Sequence, residues 1–200
     1  TLTPPREPLD YSLVETLKDL CRYAEIGIVS GSDYDYIMQQ CGFLTTQDEI
    51  KLRLHILPCN GTKHCAPPPY KTGSHKIGFK KDMRKELGDG DFQKIMKKLI
   101  DYQNHIVSHY DIPLTGHYIS YRGSMINWCP IGRNGLNHDR EKFSNFDKSF
   151  GTSTFRRTVL EQLREEFTNA RIPVAIKLGG ETSFDIYPNG WNKTFALAHF

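Results

Sequence analysis

The 200-residue sequence lacks the features that mark several large classes of protein. It has no apolar run long enough to span a bilayer, no signal-peptide pattern at its start, and no internal repeats or low-complexity tracts. Its formal net charge is only +3, which is too small to argue for nucleic acid as a partner. We therefore expect a cytoplasmic protein that binds neither membranes nor nucleic acids.

Cysteine is also scarce. The sequence has five cysteines, an odd and scattered set that indicates reduced thiols rather than a disulfide framework. Cys59 and Cys65 lie near His64 and His75, but their spacing matches no standard zinc motif. We therefore expect no metal site among these residues.

Aromatic residues, by contrast, make up 12% of the chain, which favours a packed core over disorder. The first 58 residues alternate helix, strand, helix and strand, an α/β pattern typical of parallel strands. The first helix is predicted to begin with a capping box of Ser12 and Glu15, and the second with Ser32 as its N-cap. Helical spacing predicts that the first helix buries Leu13, Leu17, Leu20 and Ala24.

The character of the sequence changes after residue 58. Residues 59–76, which include Pro67–Pro69, are predicted to be a connection without regular elements. Beyond it, two strands joined at Gly123 and a hairpin through Gly179 and Gly180 predict an antiparallel sheet with helices on one face. A long helix near residues 91–109 is predicted to bury Phe92, Ile95, Met96, Leu99, Ile106 and Val107.

Three arginines recur around a short apolar segment in this second half. Arg122 ends one predicted strand, Arg133 follows the next, and Arg140 lies in the first turn of a helix that Asn137 could cap. A positive charge there opposes the helix dipole, so Arg140 is not placed for helix stability. Singly, each arginine is expected to be a surface ion pair; together they indicate a phosphate receptor, because each guanidinium is a planar, charged fork.

A polar strand accompanies the arginines. Ser183 and Asp185 alternate along the last predicted strand and share one face, with Thr182, Phe184 and Ile186 opposite. The hydroxyl of Ser183 could donate or accept a hydrogen bond from a sugar hydroxyl, and the carboxylate of Asp185 could accept one. The alternative is that Ser183 is an ordinary strand serine.

Longer motifs carry a resemblance that runs from Thr1 to about Lys193. "TLTPPR", "GIVSGSD", "YRGSM", "PIGR" and "GGETSFDIYPNGW" occur in the order typical of eukaryotic-type phosphomannomutases, members of the haloacid dehalogenase (HAD) superfamily with a C2b-type cap. The resemblance implies an α/β fold with a partial HAD-like Rossmannoid core at residues 1–74, an α+β cap at 75–187 that binds substrate, and an incomplete return to the core at 188–200.

The resemblance also implies a function. It implies an isomerase of GDP-mannose biosynthesis that interconverts mannose 6-phosphate and mannose 1-phosphate by phosphoryl transfer through an aspartyl phosphate. It implies a hexose phosphate substrate, a cytoplasmic homodimer joined through the cap, and a requirement for Mg²⁺. The substrate-binding residues that it implies are Arg6, Arg122, Arg133, Arg140, Ser183 and Asp185.

The chain departs from the family pattern at several points. Ser30, Gly31 and Ser32 form a predicted phosphate-binding loop, but Ser30 stands where the family usually has glycine, and a turn serine is the alternative. Cys59 replaces the family's usual glutamate, and the insert around Pro67–Pro69 has no counterpart in the family.

The family's catalytic aspartates are not in this sequence. They belong to an Asp-x-Asp-Gly segment that immediately precedes the counterpart of "TLTPPR", and the acidic magnesium ligands follow the helix that starts near Gly190. We therefore assign no catalytic residue and no metal ligand within the chain. It looks truncated at both ends, and residues 1–200 alone are expected to be inactive.

Two other functions remain open at this point. A HAD sugar-phosphate phosphatase would use water in place of the second sugar phosphate, and a sugar-phosphate-binding domain would need no nucleophile. The three arginines favour the mutase, because a hydrolase has less need to hold a distal phosphate. The sequence does not distinguish mannose phosphates from glucose phosphates.

Overall fold

The chain folds into two compact units. The computed structural model describes residues 2–3 and 7–199. One unit comprises Thr1–Lys81 and Gly190–Phe200, and the other comprises Asp82–Asn189. The first unit continues beyond the boundary predicted at residue 74, because a strand at Lys76–Lys80 hydrogen-bonds to its sheet.

The first unit carries a mixed sheet with helices packed against it. Its four strands lie side by side in chain order, and the first two, Ile26–Val29 and Leu54–Leu57, are parallel, as predicted. The other two pairings in this sheet are antiparallel. Its elements are α1 (Leu13–Cys21), β1 (Ile26–Val29), α2 (Tyr34–Cys41), α3 (Asp48–Lys51), β2 (Leu54–Leu57), β3 (Lys63–Ala66) and β4 (Lys76–Lys80), with 3₁₀ segments at Gly42–Thr46, Cys59–Gly61 and Lys193–His199.

Ser12 is the N-cap residue of α1, as predicted, but its predicted capping box is absent, and Ser32 is not the N-cap of α2. The side chain of Ser12 makes no capping hydrogen bond; instead its backbone N–H donates to Asp10 Oδ1 at 2.9 Å. Asp33, rather than Ser32, caps α2, and its Oδ1 accepts from the Tyr36 N–H at 3.1 Å. A carboxylate is as good an N-cap as a hydroxyl, so neighbouring serine and aspartate leave the first turn ambiguous in sequence.

Two further predictions in this unit need correction. Helix α1 buries Val14 and Cys21, and the predicted Leu13 and Leu17 pack, partly buried, against the same core. The prediction was wrong for Leu20, which is 47% exposed, and for Ala24, which lies beyond the helix. The segment 59–76 is not a bare connection, because it contains β3, which pairs with β2 and β4. The sequence pattern did not reveal this strand, because it has only four residues and lies next to Pro67.

The second unit is an antiparallel sheet with helices on one face, as predicted. Its strands lie in the order Ile119–Tyr121 (β5), Ile126–Trp128 (β6), Ser183–Pro188 (β8) and Val174–Gly179 (β7), and every pairing is antiparallel. The elements are α4 (Met83–His109), β5 (Ile119–Tyr121), β6 (Ile126–Trp128), α5 (Asn137–Lys148), α6 (Phe155–Asn169), β7 (Val174–Gly179) and β8 (Ser183–Pro188).

The helices α4 and α6 cover the apolar face of this sheet. Trp128 stacks on Phe184 with ring centroids 4.9 Å apart, and its Nε1–H donates to Gln103 Oε1 on α4 at 2.7 Å. Arg164 on α6 donates to the Ile176 carbonyl of β7 at 3.0 Å. Alternation along the strands then places the intervening side chains on the other face.

Helix α4 is longer than predicted and is interrupted at Gly88, whose φ of 77° lies in a region that favours glycine. The prediction for its buried side is confirmed for Phe92, Ile95, Leu99 and Ile106. It is wrong for Val107, which is 37% exposed.

Candidate functional site

A row of polar side chains crosses the second sheet on the face opposite α4 and α6. The strand register pairs Ser120 with Asn127, Asn127 with Asp185, and Asp185 with Lys177. Directly paired residues share a face, so the row spans all four strands. Ser183 lies two residues before Asp185 and therefore on the same face.

Asn127 connects Ser183 and Asp185 on this face to Arg133 in the loop after β6. Its Nδ2 donates to Asp185 Oδ1 at 2.8 Å and to Ser183 Oγ at 3.0 Å, and its Oδ1 accepts from Arg133 Nη1 at 2.9 Å. The side chain is only 3% exposed. The structure thus links Arg133, Ser183 and Asp185, which the sequence had singled out separately, through a residue that the sequence analysis missed.

Ser183 and Asp185 are packed tightly against the adjacent strand. The Ser183 hydroxyl donates to the Gly179 carbonyl at 2.6 Å. An ideal β-carbon on Gly179 would lie 2.8 Å from Asp185 Oδ2, so the carboxylate occupies the space that any other residue would fill. Burial raises the pKa of the neighbouring Tyr187 phenol, and the charge of Asp185 raises it further.

Arg133 is carried by a rigid loop after β6. Its backbone N–H donates to the Gly116 carbonyl at 3.1 Å, and the Gly132 N–H donates to the Cys129 carbonyl at 2.8 Å. Gly132 has a φ of 88°, and an added β-carbon would lie 2.1 Å from the Gly116 oxygen. Only glycine can therefore occupy position 132 without moving the loop.

Arg140 lies at the start of α5 and contacts the β7–β8 hairpin. Its Nη1 donates to Thr182 Oγ1 at 3.1 Å, and its Nε to the Gly135 carbonyl at 3.3 Å. Thr182, which was predicted to lie opposite Ser183 and Asp185, is 2% exposed, and its hydroxyl accepts from this predicted phosphate-binding arginine. The contact brings Arg140 to the residue that precedes Ser183.

The cap predicted for α5 was also wrong. Asn137 is the first residue inside the helix, and the N-cap position is Leu136, whose N–H donates to Asp139 Oδ2 at 2.9 Å. Asp139 in the first turn is well placed for the helix dipole.

Arg122 lies at the turn between β5 and β6. Arg122 follows β5, and its backbone N–H donates to the Met125 carbonyl at 2.8 Å, which closes the β5–β6 turn. Gly123 within that turn has a φ of 85°. Arg6 lies outside the described residues.

The predicted phosphate loop Ser30–Ser32 follows β1 in the first unit and is tied to the segment after β2. The Cys59 N–H donates to the Ser32 carbonyl at 2.9 Å, and the Asn60 N–H to the Ser30 carbonyl at 2.7 Å. Ser30 Oγ accepts from the Ser32 N–H at 3.1 Å, the bond that a turn serine makes. A role for Ser30, Gly31 and Ser32 in binding phosphate stays a prediction.

Cys59 and Asn60 both have positive φ, 50° and 63° respectively, beside Gly61 at 85°. Consecutive non-glycine residues in this region are rare, and such strain concentrates at functional segments. The Asn60 side chain donates to the Trp191 carbonyl at 3.2 Å, and this bond holds the segment in place.

Three histidines of the first unit, His55, His64 and His75, have protein partners. His55 Nδ1 lies 2.7 Å from His64 Nε2, and His55 Nε2 lies 2.9 Å from Glu25 Oε2. His75 Nε2 lies 2.7 Å from the Leu54 carbonyl oxygen, and burial lowers the pKa of this imidazole. Across residues 2–3 and 7–199, no three or more His, Cys, Asp or Glu side chains are grouped so that they could hold a metal.

Comparison with solved structures defines the class of fold. Plasmodium falciparum IMP-nucleotidase aligns with 98% of this chain and 47% of its own, at a TM-score of 0.61 and 10% identity. The ATP-bound structure of the same nucleotidase aligns with 98% of this chain and 45% of its own, at a TM-score of 0.63 and 11% identity. The chain spans about half the length of these proteins. At this identity the likeness establishes only that the chain shares the fold of these proteins.

Sequence comparison is more specific. A model of the family described as eukaryotic phosphomannomutase matches residues 13–200. Phosphomannomutase of Solanum lycopersicum is 32% identical over 200 residues, which is 100% of this chain and 71% of the relative. Phosphomannomutase 2 of Dictyostelium discoideum is 34% identical over 202 residues, which is 100% of this chain and 72% of that protein. The chain therefore belongs to the eukaryotic phosphomannomutase family, which confirms the predicted family and enzyme class. No described helix is both long and apolar enough to cross a bilayer.

Proposed function

We propose that the protein interconverts mannose 6-phosphate and mannose 1-phosphate and that its second unit binds the sugar phosphate. The observation that carries this proposal is the hydrogen-bonded set of Arg133, Asn127, Ser183 and Asp185 in a phosphomannomutase-family chain. A guanidinium beside a carboxylate and a hydroxyl matches a ligand that presents a phosphate and sugar hydroxyls together.

The arginines bind the phosphate that does not react. A guanidinium presents a planar pair of N–H groups, and each charge-assisted hydrogen bond contributes about 1.5–3 kcal/mol. Arg133 is fixed by Asn127, and Arg140 by Thr182 and Gly135, so both are oriented before the ligand arrives. Arg122, and Arg6 by its position in the motif, complete the proposed set.

The sugar is oriented by Ser183 and Asp185. Their oxygen atoms lie on the same face as Asn127 and accept hydrogen bonds, which suits hydroxyl groups. Holding the sugar at one end leaves the other end free for phosphoryl transfer, and the ligand can reverse between the two half-reactions.

We propose that the transfer passes through an aspartyl phosphate, as the family resemblance implies. The aspartate belongs to the Asp-x-Asp-Gly segment, which is not among residues 1–200, so no step of the transfer is assigned to a residue of this chain. The part of the chain that the structure describes offers no cluster of carboxylates for Mg²⁺, and magnesium remains an expectation from the family.

A homodimer joined through the cap is likewise proposed from the family resemblance. Light scattering of the complete protein tests it directly. A monomeric mass at micromolar concentration would contradict this part of the proposal.

The reaction is tested with mannose 1-phosphate and Mg²⁺ on the complete protein, with the products separated by chromatography. We expect mannose 6-phosphate as the product. Free mannose with inorganic phosphate would identify a phosphatase instead, and the absence of any product would indicate a binding domain.

A polypeptide of residues 1–200 is expected to give no product, because removal of the nucleophile removes the covalent route. Magnesium-dependent conversion by that polypeptide, free of contaminating enzyme, would contradict the proposed mechanism.

A further inference from the structure

Asn127 has a hydrogen-bonding role that its chemistry fixes without ambiguity. Arginine can only donate, so the Asn127 atom that faces Arg133 at 2.9 Å must be the amide oxygen. A carboxylate can only accept, so the atom that faces Asp185 at 2.8 Å must be the amide nitrogen. The two independent contacts agree on the orientation of the amide.

The hydrogen atoms around Asn127 are then fully used. Its two amide hydrogens point to Asp185 Oδ1 at 2.8 Å and Ser183 Oγ at 3.0 Å, with the Phe184 carbonyl as a longer third acceptor at 3.4 Å. The single hydroxyl hydrogen of Ser183 goes to the Gly179 carbonyl at 2.6 Å. Ser183 can therefore only accept from a ligand, as Asp185 does. The sequence analysis had left Ser183 free to donate as well.

We propose that Asn127 is a positioning residue that sets the hydrogen-bond polarity of the site. Its amide nitrogen holds Ser183 and Asp185 as acceptors for sugar hydroxyls, and its amide oxygen holds Arg133 as a donor for phosphate. The site then selects ligands that carry a phosphate and hydroxyl groups together over phosphate alone. This inference rests on the proposed function, since it concerns the same site.

No other common side chain of similar size can replace this amide. Leucine has the same branched shape but neither donates nor accepts, so Arg133, Ser183 and Asp185 would each lose their hydrogen bond to position 127. Aspartate can still accept from Arg133, but it places a second carboxylate against Asp185. Asparagine alone offers an acceptor on one side and two hydrogens on the other.

The first test compares two ligands. Mannose 1-phosphate and inorganic phosphate are titrated calorimetrically into the complete protein and its Asn127→Leu variant at constant ionic strength. We expect mannose 1-phosphate to bind at least about tenfold more weakly to the variant, because the hydrogen bonds to charged groups lose their alignment. The affinity for inorganic phosphate should fall less, because phosphate alone contacts only the donor Arg133. The ratio of the affinity for mannose 1-phosphate to the affinity for phosphate should therefore fall. The exposed Asn104 on α4 provides the matched control, Asn104→Leu, which should keep both affinities.

The second test uses Asn127→Asp and pH. A protonated carboxyl at position 127 restores part of the amide pattern, since its hydroxyl can donate to Asp185 while its carbonyl accepts from Arg133, although it has no second hydrogen for Ser183. Because two adjacent carboxylates raise the pKa of one of them, the proton is retained more readily. We expect weak binding of mannose 1-phosphate at pH 8 and recovery, relative to wild type at the same pH, as the pH falls to 5.5. Asn104→Asp should show no such recovery.

The outcomes separate two failures. If wild type does not bind mannose 1-phosphate, the proposed function fails and this inference falls with it. If wild type binds but Asn127→Leu keeps the wild-type affinity ratio, or Asn127→Asp shows no recovery at low pH, Asn127 does not set the polarity and the proposed function stands. Should Asn127→Leu fail to fold, the pH series on Asn127→Asp decides alone.

Discussion

Single residues determine how closely the polar row of the second sheet is packed. At Gly179 an ideal β-carbon would lie within 3.0 Å of both Asp185 Oδ2 and Ser183 Oγ. The atoms in the way are the ends of side chains, so a larger residue would displace the site before it disturbed the fold. At Gly132 the nearest obstructing atoms are the backbone O and N of Gly116, and moving them would cost more energy than moving a side chain.

Gly179→Ala is therefore expected to weaken binding with little loss of stability. The added methyl group pushes the carboxylate of Asp185 and the hydroxyl of Ser183 out of line with Asn127, so the KM for mannose 1-phosphate should rise. Gly90→Ala is the control, because nothing lies within 4 Å of its added carbon. That change should leave KM unaltered and raise stability by about 0.4–1 kcal/mol, since Gly90 lies inside helix α4. An unaltered KM in Gly179→Ala would show that the two oxygens are not aligned for a ligand.

His75 should make the stability of the first unit sensitive to mild acid. Burial lowers the pKa of this imidazole below its ordinary value of about 6.5, so the fold favours the neutral ring. The contribution of the neutral His75 ring to the free energy of unfolding is present in full above pH 6.5. It is lost as the pH falls from 6.5 towards the lower pKa that His75 has in the folded state. Urea unfolding at pH 7.5 and 5.5 should show a smaller acid-induced loss in His75→Gln than in wild type. The exposed His105→Gln should behave as wild type; an identical loss in all three proteins would contradict the expectation.

Contacts between elements hold the β7–β8 hairpin in position. Asp147 on α5 accepts from the backbone N–H of Arg156 at 2.7 Å and from its Nε at 3.0 Å. Arg156 Nη1 also donates to the Gly180 carbonyl at 3.0 Å, in the turn that leads to Ser183. Both charged side chains are nearly buried, and the pair links two helices to the site-bearing hairpin.

Asp147→Ala is expected to lower the free energy of unfolding by about 3–5 kcal/mol, because it leaves the Arg156 charge buried without its carboxylate. Asp111→Ala removes an ion pair with Lys142 in which the carboxylate is 96% exposed. Such a pair contributes at most about 1 kcal/mol, so this variant serves as the control. Equal effects of the two changes in denaturant unfolding would contradict the role assigned to the buried pair.

Much of the element pattern could be predicted from the sequence, because it depends on local periodicity. The β7–β8 hairpin follows from Gly179 and Gly180 between two alternating runs, and β1 and β2 follow from short apolar runs with helices between them. The predicted cap of α2 failed because Asp33 competes with Ser32, a choice that depends on backbone geometry. Strand β3 was missed because it has only four residues and is followed directly by Pro67–Pro69, which indicate a connection.

The site could be predicted only where charge or motif marks it. Arg133, Ser183 and Asp185 were found because their types stand out against their neighbours. Asn127 was missed because an uncharged residue between Ile126 and Trp128 reads as part of a strand. Its central place depends on the β6–β8 register, which local patterns do not determine. Strand alternation alone would have placed it on the polar face.

At the scale of the whole molecule, the family assignment and the geometry of the second unit support one account of substrate binding. The account requires Arg133 and Arg140 to bind phosphate with oriented guanidinium forks rather than to act as surface charges. Binding through partly exposed charges should also weaken as salt is added, because ions screen the attraction.

The most direct test is a calorimetric titration of mannose 1-phosphate into the complete protein, Arg133→Lys and Arg140→Ala, each at 50 and 200 mM salt. The account predicts that wild type binds more weakly at the higher salt concentration. It also predicts that Arg133→Lys weakens binding although the charge is kept, because the ammonium group loses the planar fork. Arg140→Ala should weaken binding and reduce its salt dependence. Affinities equal to wild type in both variants would contradict the account, because Arg133 and Arg140 would then be ordinary surface charges.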